Sequence, residues 1–153
     1  MTVDTIDLSP VIEQAGGRGQ MGEAYKRATE FLSDWHGVFA EGETVILAQS
    51  GKCRAIARIA KTGRGHWLSG HDYFTPTSGS GGGPNVWARL AFQSRDDAIR
   101  YEAERAFEWF RGIVDTRDSC VSDATKRDAE RILGDLRQLV TPTFAGPQQL
   151  MLF

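Results

Sequence analysis

The stretch from Glu43 to Phe92, ETVILAQSGKCRAIARIAKTGRGHWLSGHDYFTPTSGSGGGPNVWARLAF, decides the fold. Four short apolar or alternating runs follow one another in it: Thr44 to Leu47, Arg54 to Ala60, His66 to Thr75 and Val86 to Phe92. Runs of this length with β-branched and aromatic residues, separated by glycines, read as strands of a meander rather than as helices. Gln49-Ser50-Gly51-Lys52 and Thr62-Gly63-Arg64-Gly65 supply the glycines that tight hairpin turns require. The glycine-rich run from Thr77 to Asn85 reads as a long mobile loop.

Outward from the meander the period changes. From Met21 to Phe39 the apolar residues Met21, Ala24, Tyr25, Ala28, Phe31, Leu32, Trp35, Val38 and Phe39 recur at three and four, the spacing of one helical face. Ser9-Pro10 can open a short helix upstream, which Gly16-Gly17 would end. Downstream, Ser94 is placed as an N-cap, with Asp96 and Asp97 where the helix dipole favours acids. Ile99, Ala103, Ala106, Phe107, Phe110 and Ile113 then mark an amphipathic face. Ser122 caps a third helix along Ala129, Ile132, Leu133, Leu136, Leu139 and Val140, stopped by Thr141-Pro142. The order is helix, strands, helix, helix. It predicts an α+β domain over residues 1–142: an antiparallel meander of three to four strands with about three amphipathic helices on one side.

At 153 residues, 41% hydrophobic and 25% charged, the chain is long enough for one ordinary core. No apolar run approaches the roughly 20 residues of a spanning helix, and Asp4 and Asp7 do not fit a secretory leader, so the expectation is cytoplasmic with no membrane contact. Cys53 and Cys120 stand alone as reduced packing thiols. The net charge of -2 conceals a gradient: residues 1–49 carry -5, residues 50–95 carry +6 and residues 96–153 carry -3. A basic segment in an acidic chain can attract a polyanion through its local field.

Alternation sorts that basic segment into faces. Lys52, Arg54 and Arg58 share one face of their strand while Cys53, Ala55, Ala57 and Ile59 share the other. In the last run Val86, Ala88, Leu90 and Phe92 leave Trp87 and Arg89 opposite, and Arg64 sits in the turn between. With Trp67, His71 and Tyr73 on the same exposed side, the sheet would offer rings among guanidiniums. That combination suits nucleic acid, so Lys52, Arg54, Arg58, Arg64, Trp87 and Arg89 are the candidate nucleic-acid-binding residues. The competing reading is that the rings pack inside, as Trp and Tyr commonly do.

Catalytic signatures are thin. His66 and His71 fall on opposite faces of a strand, Asp72 has no neighbouring carboxylate cluster, and Ser50-Gly51-Lys52 lacks the spacing of a phosphate loop. No catalytic residue, metal ligand or cofactor is expected. The element order is similar to that of double-stranded-RNA-binding domains, but Ser94-Arg95-Asp96-Asp97 places acids where that family carries lysines, and the assignment is rejected.

Past Pro142 the chain runs Thr143-Phe144-Ala145-Gly146-Pro147-Gln148-Gln149-Leu150-Met151-Leu152-Phe153. Gly146 and Pro147 cannot continue a helix, so residues 143–153 read as a tail bearing large apolar side chains that need somewhere to dock. Gln149, Leu150, Met151, Leu152 and Phe153 resemble the bacterial sliding-clamp-binding motif Q-L-[SD]-L-F of replication and repair proteins, at every position but Met151. Four specified positions coincide by chance on the order of once in fifty thousand windows. The resemblance implies that Leu152 and Phe153 enter an apolar pocket of the clamp, that Leu150 adds a contact, and that the Gln149 amide gives directional hydrogen bonds. It implies a non-enzymatic accessory protein of DNA metabolism, whose domain touches DNA or another protein. The alternative is a phage- or plasmid-encoded inhibitor of a host DNA-processing or defence protein.

Overall fold

In the computed structural model, residues 5–32 and 42–140 are described. They are α+β, in the order β1 (Ile6–Asp7), α1 (Ser9–Gln14), a 3-10 turn (Gly17–Gln20), α2 (Met21–Phe31), β2 (Glu43–Ser50), β3 (Cys53–Lys61), β4 (Trp67–Phe74), β5 (Gly79–Gly82), a 3-10 turn (Val86–Ala88), β6 (Leu90–Ala91), α3 (Arg95–Asp115) and α4 (Asp123–Val140). The large sheet has the strand order β2-β3-β4-β5, the meander expected from the hairpin turns. Gly51 has φ 56° at the first of the two residues joining β2 to β3, the left-handed value glycine takes without strain. The turn into β4 closes through the Thr62 N–H donating to the His66 carbonyl at 2.7 Å.

The fourth strand of that sheet is not the one the alternation suggests. Val86 to Phe92 breaks up because the Asn85 carboxamide accepts the Trp87 N–H at 2.7 Å and starts a 3-10 turn, and Arg89 then turns left-handed at φ 69°. Leu90 and Ala91 pair antiparallel with Asp7 and Ile6 in a separate two-stranded sheet, and Phe92 exchanges backbone hydrogen bonds of 2.7 Å with Trp67 at the start of β4. The place beside β4 is taken by Gly79–Gly82, inside the run that reads as a mobile loop. Gly70 explains the fit: a Cβ there would collide with the backbone of Gly82 and Gly83, so the two segments approach as only glycine allows.

Helix α2 is shorter than the periodicity from Met21 to Phe39 suggests. It ends at Phe31 with Leu32 as C-cap, where the Arg64 N–H donates to the Leu32 carbonyl at 2.8 Å. Trp35, Val38 and Phe39 lie outside the described residues. The later helices begin as their sequences dictate. The Ser94 hydroxyl accepts the Asp97 N–H at 3.1 Å, and the Ser122 hydroxyl accepts the Thr125 N–H at 3.1 Å. No described helix is long and apolar enough to cross a membrane.

The described residues form two compact units. The first takes 5–32, 42–45, 58–71 and 82–99; its core gathers Leu8, Ile12, Ala24, Ala28, Leu32, Leu68, Val86 and Ala91. The second takes 46–57, 72–81 and 100–140. There Tyr73 meets Trp109 and Phe110 of α3, with ring centroids 5.3 and 6.0 Å apart, while α4 turns Thr125, Ala129, Ile132, Leu133 and Leu136 inward. The Ser50 hydroxyl donates to the Asp128 carboxylate at 3.0 Å and ties the end of β2 to α4.

Candidate nucleic-acid interface

On β3 the burial pattern obeys alternation except at Ile56 and Ala60, which share the arginines' phase and are buried. Cys53, Ala55, Ala57 and Ile59 are buried as expected, and Arg54 and Arg58 are exposed as expected. Between those arginines Ile56 is buried as well, so the outer face of the strand is a covered apolar floor from which the guanidiniums project. Cys53 points inward, and burial pushes its thiol above the usual range, with the Asp128 charge adding to the shift.

The aromatic partner of this surface comes from the opposite register of β4. Tyr73, expected outside among the arginines, is only 2% exposed and packs on α3. Trp67 and His71 share its phase on the strand and are half-buried. The residue that emerges is Phe74, 44% exposed, with the Arg54 guanidinium carbon 5.6 Å from its ring centroid. Immediately after Phe74 the chain is held by a bonded turn. The Thr75 N–H donates to the Ser78 carbonyl at 2.9 Å, and the Ser78 N–H donates to the Thr75 hydroxyl at 2.9 Å. The ring is therefore mounted on backbone with little local freedom.

Of the six candidate nucleic-acid residues, the second unit brings together Lys52, exposed in the hairpin turn, and Arg54. Arg58 is exposed on the same strand and belongs to the first unit. The other three serve the first unit's own structure. Arg64 donates to the Phe31 carbonyl at 3.0 Å and lies 4.4 Å from the Phe31 ring centroid, so it caps α2 rather than presenting a bare charge. Arg89 is not on a strand face; it pairs with Glu13 at 2.8 Å. Trp87 is half-buried in the 3-10 turn, with Arg18 5.3 Å from its ring centroid. Arg95, the last base of the +6 segment, is bound by Glu43, whose carboxyl is held below the usual range chiefly by that hydrogen bond. Within the second unit the positive charge of this segment rests on Lys52 and Arg54, in the turn that enters β3 and at its start.

Chemistry of another kind finds little footing among the described residues. No three of His, Cys, Asp and Glu converge as metal ligands there. An open groove of about 350 Å³ runs along α3 past Tyr101, Glu104, Arg105 and Glu108, with Arg105 over the Tyr101 ring. Gln149, Leu150, Met151, Leu152 and Phe153 lie outside the described residues. Comparison with protein-family models, with curated proteins and with solved structures finds no match.

Sequence reasoning missed Phe74, although the signal was present. The Thr62–His66 turn sets the register of the β3–β4 hairpin, and that register brings the even positions of β4 beside the even positions of β3. Counting from the turn rather than from the nearest aromatic selects Phe74 and excludes Tyr73.

Proposed function

We propose that this chain is a non-enzymatic accessory protein of bacterial DNA metabolism, joined to the sliding clamp through Gln149, Leu150, Leu152 and Phe153. The domain then places the basic surface of β3 against nucleic acid near the ring. The single observation that carries the reading is the match of Gln149 to Phe153 to the clamp motif at four of five positions. An extended peptide with two adjacent apolar anchors and one amide suits a small preformed pocket, because a few buried side chains dominate such affinities. Ordering the peptide offsets part of that gain, so the expected dissociation constant is about micromolar, close to -8 kcal/mol.

The test is displacement of a fluorescent clamp-binding peptide from a purified bacterial sliding clamp. The full chain should displace it, and Leu152→Ala combined with Phe153→Ala should weaken displacement by about a hundredfold or more. The melting temperature should be nearly unchanged. Equal displacement by the double variant would remove the tail from the account. A large loss of stability would instead make these side chains part of the chain's own core. A complex with a host protein that forms without clamp or DNA would favour the inhibitor reading.

A further inference from the structure

We propose that Phe74 and Arg54 form a recognition pair for single-stranded nucleic acid, the ring stacking on a base and the guanidinium meeting a flanking phosphate, with Lys52 taking a neighbouring one. This rests on the reading that the domain touches nucleic acid, and it specifies both the strand state and the residue that selects it. Three observations converge within the second unit. Phe74 is one of the five large apolar side chains exposed among the described residues, and in the second unit it is the exposed ring with a guanidinium over it; Phe31, its counterpart in the first unit, is covered by the capping Arg64. Arg54 and Lys52 have no carboxylate ion partner among the described residues, in contrast to Arg89 and Arg95 of the same basic segment. The Thr75–Ser78 turn fixes the backbone that carries the ring.

The occupant follows from charge and shape. A bare phenyl ring beside cations on a strand face matches an unpaired base with its phosphates, since every base offers a π-face and every step a negative charge. In a duplex those faces are hidden by stacking, and only backbone and groove edges could be reached. The guanidinium at 5.6 Å is close to the outer limit of a cation–π contact, about 6 Å, and Phe74 remains 44% exposed beside it.

The test measures fluorescence anisotropy of a labelled oligothymidine of about 12 nucleotides over a salt series, using the full chain and a duplex of equal length as competitor. Phe74→Leu should weaken binding about tenfold without changing the salt slope, because it removes stacking and leaves the cations. Phe74→Trp should restore it. Arg54→Gln should lower the slope of log affinity against log salt by about 0.7, the share of one phosphate on a single strand. Wild-type affinity in Phe74→Leu, or a duplex that competes as well as the single strand, would overturn the proposal. If the wild type fails to bind any oligonucleotide while still displacing the clamp peptide, this surface is excluded and the tail reading stands.

Discussion

Arg64 shows how one basic side chain can be read in two ways and what decides between them. Its charge and turn position fit phosphate binding, yet its N–H and guanidinium answer the last carbonyls of α2, where the helix dipole also favours a cation. Arg64→Ala should lower stability by about 1 kcal/mol in denaturant titration and leave oligonucleotide affinity unchanged. A loss of affinity with no loss of stability would reverse the assignment. His66, two residues on, has its Nδ1 buried without a hydrogen-bond partner, and burial, with a smaller push from Arg64, holds its imidazole below the usual 6.5. The unfolded chain therefore takes up this proton at a higher pH than the folded one. Stability is unaffected by it above about pH 6.5 and is lost as pH falls from there to the folded value. His66→Gln should flatten that part of the pH–stability curve measured between pH 7.5 and 5.5; an unchanged slope would show that other groups set it. Gly70 gives the third residue-scale test. Gly70→Ala drives a methyl into the backbone of Gly82 and Gly83 and should cost about 1–3 kcal/mol in urea titration, whereas indifference would mean β5 yields easily.

At the scale of elements, what was legible in the sequence is what short-range physics dictates. Ser94 and Ser122 announce α3 and α4 because a hydroxyl at the N-cap answers an N–H three residues on, and both bonds form. The two hairpins are legible because Gly51 and the Thr62–His66 turn leave β2, β3 and β4 no other pairing. The last strand was not legible. Val86 to Phe92 keeps apolar residues at every second position, but the Asn85 cap and the left-handed Arg89 outweigh that pattern, and glycine at 79, 81 and 82 can pair as β5 without any side-chain signal. The candidate surface fared similarly. Arg54 and Arg58 were placed by alternation, whereas Tyr73 was assigned to the wrong face and its neighbour Phe74 was passed over, because adjacent aromatics look alike until a register is set. The inner role of Tyr73 is testable by truncation of its partner: Phe110→Ala, at a fully buried position, should cost about 3–5 kcal/mol in thermal or chemical unfolding. A cost under 1 kcal/mol would contradict the packing of β4 on α3.

At the scale of the whole molecule, charge is sorted along the chain rather than spread through it. The acidic terminal thirds and the basic middle nearly cancel in total, but Glu13 and Glu43 neutralise Arg89 and Arg95 locally, while Lys52 and Arg54 have no carboxylate ion partner among the described residues. A weak domain contact to nucleic acid and a weak peptide contact to the clamp would reinforce each other, because binding at one site raises the effective concentration at the other, typically into the millimolar range for a short linker. The central claim is the peptide contact. Isothermal titration of the full chain with a purified bacterial sliding clamp tests it most directly: the account predicts saturable binding with a dissociation constant of about micromolar, abolished by Leu152→Ala with Phe153→Ala. No heat of binding from the wild type, or equal binding by the double variant, would contradict it.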